Sequence, residues 1–529
     1  MRRIVGRSWA GFVLVALVAA LAPAAPAATR PLSDARIDQA LVRAVSQGPT
    51  LAILGWDTTA ATRSDIKRHF ASRGLEARVF ERVPVAYACA RTPRDLEILA
   101  AAPGAMTVVP NEPLTPATAI DIGSASSSSA PPTTPDTELT GEGMTLAVLD
   151  TGIDASHPDV AFGSRVETNV RVVFSNWDLV GPYDDPCWMD RYSDEWFGQM
   201  ENTDLTSGHG TFITSVAAGD GTASEGVHRG MAPGADIAGI AVTDTVTTRV
   251  DVEPGCAGRG HQSYAEDYRC TRQLSTLGAV AGFNFVLQRL LVAEHPTKVI
   301  LAGWVLDGLY DPWHPISLSI DVLGFFGISF VVPVGNGGTD VSDCSTASAC
   351  TINPIGLGKS SIAVAASDTS GVLAEFSSRG DPEPRTYHDE TVEYRPFITA
   401  PGTDTTGARA TIATAPLIQV PGTTTTSGAS GSGSPSTDTE YVVMSGTSVA
   451  AAHLAGAILL IQQAALEVRG CYLTGPQLKW VLETTADEMP GHERWEVGAG
   501  LFDLTGSLAL ARDIEELKTI PSNEPYMCP

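Results

Sequence analysis

The stretch Met444-Ser-Gly-Thr-Ser-Val-Ala-Ala-Ala-His453 runs directly into Leu454-Ala-Gly-Ala-Ile-Leu-Leu-Ile461. Its Gly-Thr-Ser turn opens a segment that is apolar on all sides, a pattern typical of a helix buried at the centre of a domain. Ser448 lies at the predicted helix N-terminus, where free N–H groups and the helix dipole favour a developing negative charge. Taken alone, this serine is equally well explained as the N-cap of a core helix.

The composition is that of a globular protein. Its 529 residues are enough for two to four domains with a large core. The 60 acidic residues outnumber the 34 basic ones, for a net charge of −26. This balance argues against nucleic acid or an anionic membrane surface as a partner.

The N-terminus has the features of a secretory signal peptide, predicted over residues 1–28. Arg2, Arg3 and Arg7 precede a short apolar run, and Ala25-Pro-Ala27 is a plausible cleavage site. The apolar run is short for a membrane span, and no later run is expected to cross a bilayer. The sequence therefore predicts a secreted, extracellular protein, expected to be a monomer.

The chain contains eight cysteines, which an exported protein can pair as disulfides. Cys256 and Cys270 bracket one segment, Cys344 and Cys350 another, and either pair could bond. Cys89 is the one cysteine of the N-terminal region, so its removal by processing would leave an odd number. Because no Cys-x-x-Cys pair occurs, a zinc site built on cysteines is not expected.

Residues 30–116 alternate between strand and helix patterns in a way that fits a small ferredoxin-like α+β module. Strands are predicted at 51–54, 77–80, 83–88 and 106–109, and helices at 63–72 and 93–102. Residues 117–138 are rich in Ser, Pro and Thr, which is typical of a flexible linker. We expect this linker to be cleaved between about Leu114 and Glu138.

Residues 139–515 repeat strand and helix patterns, which predicts an α/β domain with a mostly parallel sheet. A tail over 516–529 follows. The predicted strands cover 145–149, 237–242, 298–301, 328–334 and 361–365, and the predicted helices cover 274–292 and 320–326. Residues 421–437 form a Gly/Ser/Thr-rich insert, interpreted as a loop.

Four residues with chemical potential stand at predicted strand ends or helix starts. Asp150 ends the first strand of the α/β domain, His209 is the one histidine between two glycines, and Asn336 follows a later strand. Each alone is also explained as a turn residue. Together with Ser448 they give the order Asp, His, Asn, Ser. A serine nucleophile needs a histidine to take its proton and a carboxylate to orient that histidine.

On these residues the chain resembles a subtilisin-like serine protease (subtilase, peptidase S8 family). The matching segments are Val148-Leu-Asp-Thr-Gly-Ile-Asp154, Gly208-His-Gly-Thr211, Met231-Ala-Pro-Gly-Ala235, Gly335-Asn336, Ala374-Glu-Phe-Ser377 with Gly380, Ala400-Pro-Gly402 and Gly446-Thr-Ser448. The resemblance implies that Asp150 orients, His209 is the general acid and base, and Ser448 is the nucleophile. It also implies that Asn336 and the backbone N–H of Ser448 form the oxyanion hole.

The resemblance further implies a subtilisin-like three-layer sandwich that hydrolyses protein or peptide substrates. The module over 30–116 resembles an inhibitor-type pro-domain (inhibitor I9-like), which in the family assists folding and blocks the cleft until it is removed. The chain would then be made as an inhibited zymogen, with its own pro-domain as intramolecular partner. No cofactor is required for catalysis, and structural calcium is left open.

The sequence departs from the family pattern at three places. Phe212 and Ser215 stand where a second histidine and a glycine are usual, which we interpret as packing changes. Ala452 replaces the usual proline of the nucleophile helix. The largest departure is in the strand that lines the specificity pocket. There Gly303 and Val305 replace Ser and Gly, with Trp304 between them.

All three residues of this strand, Gly303, Trp304 and Val305, are predicted to bind substrate. A valine in place of glycine narrows the entry, so a restricted specificity pocket is expected.

The altered strand and Ala452 keep a second hypothesis open, a catalytically weak or silent subtilase that serves as a binding or structural protein. The presence of all four chemical residues favours an active enzyme. A lipase or esterase is disfavoured because no Gly-x-Ser-x-Gly elbow surrounds Ser448, and a carboxyl peptidase because the Gly-His-Gly-Thr segment is intact.

Two further features have plain interpretations. The acidic insert over 176–204, with Trp177, Trp188 and Trp196, is interpreted as a solvated loop rather than a substrate-contacting or calcium-binding rim. His453 is interpreted as a hydrogen-bonded core histidine.

Overall fold

The computed structural model describes residues 36–117, 138–173, 196–204, 207–245, 272–290, 292–338, 352–387, 390–411 and 440–513. The N-terminal module comprises β1 (Arg36–Ile37), α1 (Gln39–Gln47), β2 (Thr50–Trp56), α2 (Arg63–Arg73), β3 (Ala77–Val79), β4 (Val85–Ala90), α3 (Pro93–Ala100) and β5 (Ala105–Pro110). Its sheet has the order β1-β5-β2-β4-β3, with β2 antiparallel to both β4 and β5. From β2 to β5 the chain follows the β-α-β-β-α-β course of a ferredoxin-like module, as predicted.

Local sequence accounts for where these helices begin and end. A capping box between Thr62 and Asp65 opens α2, and Gly74, with φ of 71°, ends it in the left-handed conformation. Pro93 occupies the first position of α3 after Thr92. The prediction missed β1 and α1. Strand β1 has only two residues, too few for a periodic pattern.

The remaining strands are β6 (Pro113–Pro116), β7 (Thr145–Asp150), β8 (Val166–Val173), β9 (Trp196–Gln199), β10 (Asp236–Ala241), β11 (Thr243–Thr245), β12 (Arg272–Ser275), β13 (Thr297–Leu301), β14 (Trp304–Val305), β15 (Ser329–Pro333), β16 (Ser361–Ser367), β17 (Arg385–Tyr387), β18 (Glu390–Val392), β19 (Ile398–Pro401), β20 (Thr405–Ala408) and β21 (Tyr441–Met444). The central sheet has the order β19-β16-β15-β13-β7-β10-β8-β9. Seven strands are parallel and β9 pairs antiparallel with β8. The predicted α/β class is confirmed, although β8 and the short edge strand β19 were not predicted.

The remaining helices are α4 (His209–Ala218), α5 (Thr276–Arg289), α6 (Pro315–Phe325), α7 (Thr447–Arg469), α8 (Gly475–Thr485), α9 (Arg494–Val497) and α10 (Leu504–Ala511). One apolar cluster joins the sheet to α4, α7 and α10, and a second joins it to α5 and α6. The sheet is therefore the middle of three layers, as the resemblance implied. The predicted helix at 320–326 is the C-terminal part of α6, which begins five residues earlier at Pro315.

Helix α7 corrects one expectation. Within the described residues it is the helix long and apolar enough to cross a membrane, whereas no such run was expected after the signal peptide. It is mostly buried inside the protein, with Ile458 and Leu459 fully enclosed. Its all-round apolar surface is that of a core helix, as the opening stretch of sequence predicted.

The N-terminal module packs against the outer helix layer of the α/β domain. Its sheet buries Leu51, Ile53 and Tyr87 in the same apolar cluster as Phe283 and Ile320 of α5 and α6. A hydrogen bond adds to this packing, since the backbone N–H of Arg82 donates to the side-chain Oδ1 of Asn284 over 2.7 Å.

The structure describes two of the eight cysteines. Cys89 and Cys471 are both disulfide-bonded, and the described residues include no free cysteine. The suggested pairs Cys256 with Cys270 and Cys344 with Cys350 lie outside the described residues.

Candidate active site

Asp150 is held at the C-terminal end of β7, the central strand of the sheet. Its carboxylate is buried, with Oδ1 accepting from the N–H of Thr151 over 2.8 Å and Oδ2 from the N–H of Gly303 over 3.2 Å. The chain then turns at Gly152, whose φ of 120° disfavours any residue with a side chain. The carboxylate is thereby fixed at the sheet edge where parallel strands converge.

His209 is the first residue of α4, and its ring joins Asp150 to Ser448. Nδ1 lies 2.6 Å from Oδ1 of Asp150, and Nε2 lies 3.1 Å from Oγ of Ser448. The neighbouring Gly210 packs so closely that a Cβ there would overlap the carbonyl oxygen of Gly152. The flanking glycine therefore permits the close approach that the sequence predicted. With Nδ1 donating to the carboxylate, Nε2 is free to accept the serine proton.

Ser448 and Asn336 come together through the first turn of α7. Thr447 donates its N–H and its hydroxyl to Oδ1 of Asn336, over 3.0 Å and 2.9 Å. This orients the Asn336 amide, whose Nδ2 is buried and makes no hydrogen bond within the described part of the chain. An unpaired buried N–H group is costly, so this atom is suited to an additional acceptor.

The chain itself supplies an acceptor for the backbone N–H of Ser448. The carbonyl oxygen of Ala117 lies 3.1 Å from the backbone N of Ser448, and the N–H of Ala117 donates to the carbonyl of Gly303 over 2.8 Å. Strand β6, which precedes Ala117, lies antiparallel between β12 and β14, with Leu114 opposite Leu274 and Thr115 opposite Val305. Residues 113–117 thus lie beside Ser448 as an extended peptide.

Sequence reasoning did not place this segment at the site. Residue 117 was interpreted as the first residue of the linker, and β6 was not predicted. A weak signal was present, because Pro113 and Pro116 favour an extended backbone for the residues that precede them. Nothing local, however, indicates which strands would receive that backbone.

The three predicted substrate-binding residues differ in what they contribute. A Cβ at Gly303 would lie 2.7 Å from Cε1 of His209 and 2.9 Å from Oδ2 of Asp150, so the site has no room for a side chain there. The Trp304 side chain is fully buried and donates from Nε1 to the Leu149 carbonyl over 2.8 Å, so it is part of the core. Val305 is partly exposed opposite Thr115. Trp304 pairs with Pro116 of β6 through its backbone while its ring lies in the core, and its role in binding substrate stays a prediction.

The departures at Phe212 and Ser215 are packing changes, as interpreted. Phe212 and Ser215 both pack against Gly407 in β20, and Oγ of Ser215 accepts from the N–H of Ala408 over 2.7 Å. Ala452 is buried in an unbroken α7.

His453 lies next along this helix. Its Nδ1 donates to the Pro401 carbonyl over 2.8 Å, and burial lowers its pKa to about 4. It is a neutral core histidine, as predicted.

The acidic insert is described only over 196–204, so Trp177 and Trp188 lie outside the described residues. Within that part Asp204 is 0 % exposed, which contradicts its assignment to a solvated loop. Across the described ranges, no group of three or more His, Cys, Asp or Glu side chains is arranged to hold a metal ion.

Comparison with known proteins finds relatives of similar sequence and fold. The chain is 25 % identical over 388 residues to serine protease AprX of Bacillus subtilis (strain 168), an alignment covering 70 % of this chain and 67 % of the relative. It superimposes with a TM-score of 0.55 and 19 % identity on the crystal structure of fervidolysin from Fervidobacterium pennivorans, a keratinolytic enzyme related to subtilisin. That superposition covers 87 % of this chain and 61 % of fervidolysin, and it shows a shared fold.

Residues 141–267 and 288–500 match the Subtilase family, and these ranges are more than half of the chain. The chain therefore belongs to the subtilase family of serine-type endopeptidases.

Proposed function

We propose that this protein is a secreted serine endopeptidase, made as an inhibited zymogen, in which Asp150, His209 and Ser448 carry the chemistry. Oγ of Ser448 attacks the substrate carbonyl while Nε2 of His209, 3.1 Å away, takes the hydroxyl proton. The imidazolium is held by Asp150 at 2.6 Å and returns the proton to the leaving amine. Water then attacks the acyl-enzyme ester, with the same histidine as base, and releases the acid.

The position of Ala117 carries the proposal. Its carbonyl oxygen accepts from the backbone N–H of Ser448, which is where an oxyanion would form during attack on that carbonyl. The buried, unpaired Nδ2 of Asn336 is the second donor. The bond that the enzyme would cut first is therefore the one between Ala117 and Thr118 of its own chain, which lies within the segment expected to be cleaved.

The same contacts account for inhibition before and after this cut. Strand β6 occupies the place of a substrate between β12 and β14, and the module behind it buries an apolar face on α5 and α6. Asp150, His209 and Ser448 are all buried in this arrangement. A protein substrate reaches Ser448 only when residues 113–117 leave the cleft. Secretion is supported by the charged and apolar pattern of residues 1–28.

The experiment is to express the full chain and sequence the N-terminus of the purified product. The wild type should gain a new N-terminus at Thr118 after self-cleavage, and Ser448→Ala should remain uncut. Ser445→Ala is a matched control, because Ser445 is a buried serine three residues away that accepts from the N–H of Asp404. An uncut wild type, or the same cut in Ser448→Ala, would contradict self-processing.

A fluorophosphonate probe separates the active enzyme from the silent subtilase. After processing and removal of the module, Ser448 should be labelled in the wild type and in Ser445→Ala, and not in Ser448→Ala. Absence of labelling in correctly folded, processed protein would favour the binding or structural alternative.

A further inference from the structure

Asp204 holds the start of the helix that carries His209. Its Oδ1 accepts from the N–H of Gly208 over 2.9 Å, and its Oδ2 accepts from the N–H and the hydroxyl of Thr211, over 3.1 Å and 2.7 Å. These donors lie on either side of His209. Helix α4 has Gly208 as its N-cap residue, with φ of 78° and no side-chain capping bond of its own. Asp204 thus supplies from four residues upstream the acceptor that a capping residue normally provides.

The same carboxylate is connected to the turn that follows Asp150. The hydroxyl of Thr211, which donates to Asp204, accepts from the N–H of Asp154 over 2.9 Å. The hydroxyl of Thr203 accepts from the N–H of Ile153 over 2.9 Å. Asp204 and its neighbour therefore link the two segments that bring Asp150 and His209 together.

The carboxylate is fully enclosed, and its pKa is raised, first by burial and also by the negative charge of Asp150. Among the described residues, Asp150 is the charged group whose field acts on it. Burying a second carboxylate beside the first is unfavourable unless it is well hydrogen-bonded. The Asp204 carboxylate accepts from four donors, all in the segment 207–211. These hydrogen bonds offset the cost of burying the carboxylate at the helix start.

We propose that Asp204 is a positioning residue for the reaction, which fixes the first turn of α4 so that Nε2 of His209 meets Ser448. It touches neither substrate nor the reacting atoms, and it acts through Gly208 and Thr211. A rotation or shift of the helix start would lengthen the bond from Nε2 to Oγ, and such displacements reduce rate steeply. This inference rests on the proposed function.

Asp204→Asn is the direct test, because it keeps the size of the side chain but replaces one acceptor oxygen with a donor NH₂ group that faces N–H or O–H donors. The assay uses processed protein and a peptide p-nitroanilide ending in Leu-Thr-Pro-Ala, the sequence of residues 114–117. We expect kcat to fall by up to about 10²-fold with little change in KM.

Asp159→Asn is the matched control. Asp159 is also fully buried, and accepts from the N–H of Ala223 over 2.8 Å and from the Tyr441 hydroxyl over 2.7 Å, away from His209. It should lower thermal stability and leave kcat close to the wild-type value. If Asp204→Asn has the wild-type kcat, or loses only what Asp159→Asn loses, the inference is wrong.

A second pair of variants keeps the test decisive if Asp204→Asn fails to fold. Thr211→Val removes the hydroxyl that joins Asp204 to Asp154, and Thr211→Ser retains it. We expect Thr211→Val to lose kcat with little change in KM, and Thr211→Ser to recover most of the wild-type rate. Equal rates in the two variants would overturn the inference. Wild-type protein that no phosphonate labels would instead refute the proposed function.

Discussion

The amide nitrogen of Asn336 is buried beside Ser448 with its partner oxygen already engaged by Thr447. This leaves Nδ2 oriented and unpaired before any negative charge develops, which is the preorganisation that transition-state stabilisation requires. In the proposed oxyanion hole, the Ser448 N–H, which contacts the Ala117 carbonyl, is the other donor. Backbone and side chain would thus contribute one donor each.

We predict that Asn336→Ala lowers kcat by about 10²–10³-fold and changes KM little, because the lost donor acts mainly on the oxyanion. Steady-state kinetics with the Leu-Thr-Pro-Ala peptide substrate measure both constants. Asn353→Ala is a useful comparison, since Asn353 donates to the carbonyls of Trp304 and Pro333 and supports β14 from behind. If Asn336→Ala retained the wild-type kcat, its proposed role would have to be abandoned.

We predict that Val305 narrows the entry of the specificity pocket. It lies opposite Thr115 in the ladder that ends at Ala117, whose side chain is a single methyl group. Ala117→Phe should therefore slow self-cleavage in the wild-type background. Adding Val305→Gly should restore it, since the β-branched side chain is removed. N-terminal sequencing and the fraction of cut chain give the readout. Efficient cleavage of Ala117→Phe without the second change would refute a restricted pocket.

Helix α7 combines a buried apolar surface with one buried histidine, His453. Its folded pKa of about 4 is below the ordinary value of 6.5 because burial disfavours the charged ring. The unfolded chain therefore binds this proton more tightly. The contribution to stability is complete above pH 6.5 and is lost as the pH falls from 6.5 towards 4. The difference corresponds to roughly 3 kcal/mol at most.

We predict that His453→Gln reduces this loss of stability, because a glutamine amide can still donate to the Pro401 carbonyl without becoming charged. Urea denaturation at pH 7.5 and pH 5, in the Ser448→Ala background to prevent self-digestion, measures the difference. His295→Gln serves as control: Asp236 raises the pKa of that more exposed histidine, so its removal should not reduce the loss. An unchanged pH dependence in His453→Gln would contradict this account.

Local patterns predicted the elements that have clear helix-capping residues or long apolar runs. The starts of α2 and α3 follow from Thr62, Thr92 and Pro93, and β7, β10 and β13 follow from continuous apolar runs. Some of the elements missed, such as β1 and β19, are short, whereas β8 was missed although it has eight residues and lies inside the sheet. Their formation depends on the strand beside them, which their own residues do not specify.

The chain as a whole is tied together across the proposed cleavage site. Cys89 is disulfide-bonded, and every other cysteine of the chain follows residue 117. Its partner therefore lies on the far side of the Ala117–Thr118 bond, whichever cysteine it is. A module tethered in this way returns to the cleft at high effective concentration. Cleavage alone should leave the enzyme inhibited.

We predict that the cleaved protein migrates as one species on a non-reducing gel and as two after reduction with a phosphine. Cys89→Ser should separate into two pieces without reductant and show peptidase activity sooner after cleavage. Release of the module from the wild type without reductant would contradict the tether.

Much of the site was predictable from sequence because its residues are marked by short motifs. Asp150, His209, Asn336 and Ser448 each follow a strand or begin a helix beside glycine, and such motifs need no knowledge of distant contacts. The family and the α/β class follow from the same segments and from the alternation of apolar runs. The roles of these residues rest on the experiments proposed above.

What the sequence by itself determined is therefore the family, the α/β class and the side chains that we propose to react. Only the tertiary structure decided that residues 113–117 lie against Ser448, that the Trp304 ring belongs to the core, and that Asp204 is buried beneath His209. Each of these depends on contacts between segments far apart in the chain. Burial and hydrogen bonding across such distances are properties of the assembled packing, and no local pattern of residues encodes them.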